Sequence, residues 1–148
     1  MNTKDNDIII HPVKTKKDSS IPPLGVLFVN PGEAKYAINK TLSDGGRKCF
    51  LHNSLLAISP DDNRFITGPA IGAPAAVLAL EKLIALGAKK IVFMGWCGAI
   101  EPELKIGDII VPSSALIGEG TSKYYTEDKH SYPSSVVIEG LSTFCDKL

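Results

Sequence analysis

The sequence predicts a three-layer α/β/α fold around a mixed, largely parallel sheet, and three observations predict it. Short β-branched apolar runs alternate with helical stretches, the pattern of strand–helix–strand units. Small residues cluster after the strand runs, as in Asn30-Pro31-Gly32 and Gly95-Trp96-Cys97-Gly98, where open α/β sheets keep their ligand loops. A length of 148 residues with 44% hydrophobic content suffices for one sizeable core, so 1–148 is read as a single domain.

Residues 1–23 are polar and punctuated by proline apart from Ile8 to Ile10, and read as an arm or edge segment. Leu24 to Val29 is a continuous apolar run too short for a buried helix and stopped by Asn30-Pro31-Gly32, hence a buried strand. From Glu33 to Ser43, Ala34, Ala37, Ile38 and Leu42 recur at helical spacing, and Gly45-Gly46 ends the pattern. Lys48 to Ser59 reads as one or two strands, and the turn Pro60 to Asn63 returns the chain to a short strand at Phe65 to Thr67.

A glycine-bearing loop, Gly68 to Gly72, leads into a helix over Ala73 to Leu86, with Pro74 in its first turn and Gly87 at its end. This helix has almost no polar face, so burial against the sheet and against another subunit is expected. Ile91 to Met94 reads as the next buried strand and Asp108 to Val111 as another. A Gly/Ser/Thr-rich loop then runs to Tyr125, and a weak helix covers roughly Ser134 to Leu148.

Sixteen Lys plus Arg balance sixteen Asp plus Glu, so the basic footprint of a nucleic-acid or anionic-membrane binder is missing. The longest strongly apolar stretch, Ala73 to Leu86, is shorter than a membrane span and carries Glu81 and Lys82. The polar opening MNTKDNDIII is no secretory signal, and Cys49, Cys97 and Cys145 form neither a disulfide framework nor a C-x-x-C pair. The expected setting is cytoplasmic, without nucleic-acid or membrane partners.

The P-loop, the dinucleotide fingerprint and the G-x-S-x-G elbow are all absent. Cys49 and His52 form the one pair at suggestive spacing, but strand alternation would put them on opposite faces, so no metal site is expected. Four loops with small residues remain: Asn30 to Glu33, Gly68 to Gly72, Gly95 to Gly98 and Gly118 to Ser122. Missing side chains admit a ligand to the backbone, and the hydroxyls of Thr121 and Ser122 can bond sugar or phosphate oxygens. For any single loop, turn formation alone explains the glycines. Cys97 reads more readily as a packed small residue than as a nucleophile, whereas Trp96 suits base stacking or packing equally.

The stretch GPAIGAPAAVLALEKLIALGAKKIVFMGWCGAI followed by PELKIGDIIVPSSALIGEGTSKYY resembles the central part of the nucleoside phosphorylase family, which includes uridine phosphorylases, hexameric purine nucleoside phosphorylases and nucleosidases. The shared order is a Gly-Ala-Pro helix start, a buried helix ending in Leu-Gly, a strand into G-x-x-G, and Leu-x-x-Gly-Asp before an apolar run. Ile10-His11 resembles the family's arm histidine, and Val29-Asn30-Pro31-Gly32 its first phosphate loop.

The resemblance implies cleavage of a nucleoside N-glycosidic bond by phosphate through an oxocarbenium-like transition state. It implies phosphate at Gly32, and phosphate, ribose and base beside Gly95, Trp96, Cys97 and Gly98. Glu119, Thr121 and Ser122 would line the rim, and His11 would reach a neighbouring subunit's ribose site in a homo-oligomer. The partners implied are a nucleoside and phosphate as co-substrate, with no cofactor.

The family's phosphate arginines fall here on Lys35-Tyr36 and on Phe93, and a threonine falls on Cys97. Its later Met-Glu segment, which holds the ribose hydroxyls, and its later Asp or Asn, which assists the leaving base, come after Leu148. The catalytic residues are therefore unassigned, the fold is expected to be incomplete at its carboxyl end, and the chain alone is expected to show no turnover. The alternatives are a nucleosidase using water, which the missing arginines would suit, and a non-catalytic remnant or interaction module.

Overall fold

The computed structural model describes residues 12–51 and 54–145, whose contacts divide between two compact units, Met1–Met94 and Gly95–Leu148. No helix among the described residues is long and apolar enough to cross a membrane.

In the first unit, β1 (Leu24–Phe28), β2 (Arg47–Leu51), β3 (Ser54–Ile58), β4 (Phe65–Gly68) and β5 (Lys90–Met94) form one sheet in the order β2-β3-β4-β1-β5. The α/β class and the mixed sheet are as expected, but the parallel bias is not. β1 pairs parallel with β4 and β5, whereas β2 with β3 and β3 with β4 are antiparallel. The reason is local: the turn after β3 is short, with Asp62 N–H donating to Ser59 O and Ser59 N–H to Arg64 O, and a short turn can only return the chain antiparallel.

The helix α1 (Pro31–Ser43) starts on Pro31, whose fixed φ suits a first helical turn, and buries Ala34, Ile38 and Thr41. Lys40 and Asp44 pair at its exposed carboxyl end at 2.6 Å. The helix α2 (Ala73–Leu86) buries Ala79, Leu83 and Leu86 at 4- and 3-residue spacing. It leaves Leu78 and Ile84 exposed, so the sheet covers only one of its apolar faces.

Strand alternation separates the two sides of the sheet. Leu27, Leu51, Leu56, Ile58 and Phe65 join Ala79, Leu83 and Leu86 of α2 in the main core cluster, with Ile21, Ala70 and Ala88. On the other side α1 packs close, with a Cβ at Gly68 falling 3.0 Å from the Cβ of Ala34. The first unit is thus helix, sheet, helix.

Gly25 and Gly68 are among the glycines forced by packing. A Cβ at Gly25 would lie 2.3 Å from the Phe65 ring, and one at Gly68, whose φ is +144°, would lie 2.5 Å from the Phe28 carbonyl oxygen. Residues 12–23 carry no strand but are tied down. Lys82 donates to Val13 O and to the Asp18 carboxylate, and Ile21 N–H donates to Leu86 O. The Lys82 hydrogen bond first, then those from the Thr15 N–H and hydroxyl, hold the Asp18 carboxyl at about 2.

The second unit contains a two-stranded antiparallel sheet of β6 (Ala115–Leu116) and β7 (His130–Ser131), a 3₁₀ turn at Ser122–Tyr124 and the helix α3 (Ser135–Cys145). The strand expected over Asp108 to Val111 is not formed. Lys105 N–H donates to Asp108 Oδ2 at 2.7 Å and Asp108 N–H to Lys105 O, giving a turn, and Ile109 and Ile110 follow it exposed. An apolar run becomes a strand only against a ladder partner, and this one has none among the described residues.

Gly25→Ala should drive a methyl group into the buried Phe65 ring. A loss of about 1–3 kcal/mol is expected from overpacking, read as a lower urea midpoint with unchanged slope.

Candidate functional site

The carboxyl ends of β1, β4 and β5 come together through backbone bonds in the first unit. Val29 N–H donates to Met94 O at 2.9 Å, and Ala70 N–H donates to Val29 O at 3.3 Å. β1 and β4 are parallel neighbours, yet β1 continues into α1 on one face and β4 into α2 on the other. A crevice opens at such a switch in direction, beyond the strand ends, and this is where open α/β sheets hold ligands.

Asn30 and the first turn of α1 occupy that position. Ala34 N–H donates to Asn30 O at 3.1 Å, which starts the helix, while the buried Asn30 Oδ1 has no protein partner. Gly32 and Glu33 follow in the first helical turn, and a Cβ at Gly32 would meet nothing within 4 Å, so its backbone is open to approach. An open hollow of about 460 Å³ is lined here by Phe28, Gly32, Glu33, Tyr36, Ala37 and Met94. Glu33 is the only charged group in that lining; it suits the positive end of the helix dipole and opposes an incoming anion.

A smaller cavity of about 190 Å³ lies beside β2, with Lys17, Arg47, Lys48 and Cys49 among its lining residues. Arg47 donates to Cys49 Sγ at 3.2 Å and is also paired with Asp62. That cavity sits at the sheet edge away from the joined strand ends and contains none of the expected site residues, so the strand-end hollow is the stronger candidate. No three His, Cys, Asp or Glu side chains gather into a metal-holding group among the described residues.

In the second unit Gly95, Trp96, Cys97 and Gly98 form an exposed loop directly after β5. Trp96 is 80% exposed, and Cys97 is an exposed free thiol, not the packed small residue expected of it. Glu119, Thr121 and Ser122 are brought together. The Glu119 carboxylate accepts from the Thr121 N–H at 2.6 Å and the Ser122 N–H at 2.7 Å. A hydrogen bond from the Ser122 side chain, followed by those two amides, holds the Glu119 carboxyl at about 2. Thus Glu119 braces its own loop and occupies amides that a ligand oxygen could otherwise use. His11 and His52 lie outside the described residues.

Sequence reading missed Phe28, Tyr36, Ala37 and Met94 as lining residues. The available signal was the i, i+4 spacing of Gly32, Tyr36 on a helix that begins at a strand end, which sets both on one side of its first turns.

The Phosphorylase superfamily profile matches residues 24–147. The uridine phosphorylase of Thermococcus kodakarensis is 39% identical over 74 residues, 50% of this chain and 26% of that protein. The guanosine phosphorylase of Halorubrum lacusprofundi is 36% identical over 69 residues, 47% of this chain and 28% of that protein. The matched segment thus spans little more than a quarter of these relatives. The crystal structure of purine nucleoside phosphorylase from Toxoplasma gondii in complex with immucillin-H superposes with a TM-score of 0.74 at 22% identity, over 93% of this chain and 56% of that one. The fold is therefore shared across both units' sequence span.

Glu119→Gln should speed hydrogen exchange at the Thr121 and Ser122 amides by about tenfold or more, since a charge-assisted acceptor is replaced by a neutral one. The wild-type brace should be intact above the ordinary carboxyl value of 4.5 and be lost as the pH falls through about 2, because the folded value is depressed. NMR exchange rates at these two amides across that range check both statements.

Proposed function

The chain belongs to the Phosphorylase superfamily, and from that premise we propose that it contributes the strand-end half of a site for cleaving a nucleoside N-glycosidic bond. The observation that carries this reading is the family match from residue 24 to residue 147, with the open backbone at Gly32 set where β1 meets α1. In this reading the ribose and base lie beyond β1, β4 and β5. Phosphate oxygen attacks the anomeric carbon, the bond to the base breaks, and a pentose 1-phosphate and free base leave. The reaction draws on no cofactor. A cytoplasmic homo-oligomer, with His11 reaching a neighbouring subunit, completes the proposal.

No general acid for the departing base is assigned in this reading, so the isolated chain is expected to bind nucleoside without turning it over. Uridine and guanosine titrations followed by NMR should shift the amides of Gly32, Glu33, Phe93 and Met94. An unshifted spectrum at millimolar nucleoside would sink the reading. Base release by the mass-verified chain alone would show that the catalytic groups are already present.

One observation favours water over phosphate as the nucleophile. The hollow beside Gly32 is lined by no Lys or Arg and contains the Glu33 carboxylate, which repels a phosphate dianion. Tyr36→Arg should therefore tighten inorganic phosphate binding by severalfold in calorimetry, as a guanidinium fork matches phosphate oxygens. Phosphate binding by the wild type as tight as by this variant would remove the case for water.

A further inference from the structure

Glu33 is half-buried, and its carboxylate accepts no hydrogen bond and pairs with no Lys or Arg among the described residues. Other acids of the chain are occupied: Asp18 holds Lys82, Asp44 holds Lys40 and Glu119 holds its own loop amides. Three residues before Glu33, Asn30 stands at the amino end of α1, where an Asn side-chain oxygen ordinarily caps the helix. Here it makes no capping bond, and its buried Oδ1 has no protein donor. Two acceptors within one turn of chain thus call for a hydrogen-bond donor, and the carboxylate calls for a positive one.

The walls of the hollow agree with that demand. Glu33 shares it with Phe28, Tyr36 and Met94, whose ring faces and polarizable thioether accommodate a cation together with an apolar body. Glu33 and Tyr36 stand three apart on α1 and so lie on one side of it, and Tyr36 is 74% exposed, which leaves its ring free to a ligand. The amino end of the helix opposes a cation with roughly +0.5 of a charge, but the full charge of a carboxylate in the same turn outweighs it. The cavity beside β2 has the opposite sign, with Lys17, Arg47 and Lys48 against Asp18 alone, so an anion has a better place in this unit than the hollow.

We propose that the hollow between α1 and the ends of β1 and β5 is a site for an ammonium group, held by the Glu33 carboxylate and the Tyr36 ring, and that the nucleoside this chain takes carries that group as a protonated amine. The nucleoside part rests on the glycosidic reading above; the preference of the hollow for a cation does not. The amine selects the substrate and takes no part in bond breaking. Glu33 and Tyr36 are then specificity residues, and a nucleoside without the amine leaves the carboxylate unpaired and is held less tightly.

Two probe pairs test this at pH 7 and low salt, followed by the amide shifts of Gly32, Glu33, Tyr36 and Ala37: benzylammonium against benzyl alcohol, and 5′-amino-5′-deoxyuridine against uridine. Each pair shares its carbon skeleton and differs in the charged head. The ammonium member should bind about tenfold more tightly in both pairs, the combined effect of an ion pair and a cation–π contact. Glu33→Gln should bring the two members to within about twofold of each other, and Tyr36→Leu should reduce the preference severalfold, with circular dichroism and thermal midpoint as in the wild type. Equal binding of benzylammonium and benzyl alcohol by the wild type overturns the proposal, and so does a preference that survives Glu33→Gln. Uridine binding that gains nothing from the amine overturns the substrate assignment and leaves the glycosidic reading standing. Benzylammonium shifts at these amides, with neither nucleoside shifting any, sink the glycosidic reading and leave the cation site standing.

Discussion

The sheet depends on one close approach, the Phe65 side chain lying against β1 at Gly25. Phe65 is fully buried and is the largest of the fully buried side chains, and it stands opposite Gly25 in the parallel ladder between β4 and β1. Burying a ring of this size is worth on the order of 2–3 kcal/mol, and any side chain at position 25 would occupy the space it needs. Seating β4 directly against β1 sets much else. It joins the antiparallel β2-β3-β4 ribbon to the parallel strands and brings the loops after β4 and β1 within hydrogen-bond reach, as the Ala70–Val29 bond shows.

The candidate site is a consequence of that seating. Two adjacent parallel strands send their helices to opposite faces, and the crevice between them receives Asn30, Gly32 and Glu33 from one side and the Gly68 turn from the other. Gly68 matters because a side chain there would collide with the Phe28 carbonyl and crowd Ala34, pushing α1 away from the sheet. The electrostatics of the hollow are then set by which residues α1 presents. Glu33 and Tyr36 make it apolar with one negative charge, a poor cradle for phosphate on its own.

The two units differ in how they are held. The first has a continuous core spanning the sheet and α2, reinforced by the Lys82–Asp18 pair that fastens residues 12–23. The second is organised by local bonds: the β6–β7 ladder, the Glu119 brace and the turn closed by Asp108. Local hydrogen bonds shape a chain but contribute little net stability without buried apolar area behind them. The β-branched residues of 109–111 accordingly remain coil.

Much of the architecture was legible locally. The limits of α2 agree with its proline and glycine punctuation, β1 and β5 with their apolar runs, and the split of Lys48 to Ser59 into two strands was one of the two readings its length allowed. The small-residue segments after the strands were legible as loops because glycine, proline and asparagine punctuate the chain there. The resemblance of Thr67 to Tyr125 to the nucleoside phosphorylases needed no coordinates either, since it is carried by residue order. The sequence could not reveal that β3 and β4 run antiparallel beside a parallel pair, that Cys97 is exposed, that Glu119 holds its own loop amides, or that 108–111 forms no strand. Each depends on which segments meet in space. Periodicity and punctuation report a residue's preference for its near neighbours, so the sequence by itself determined the elements of the first unit and the family. The tertiary structure decided strand direction and exposure, because these are set by partners distant in the chain.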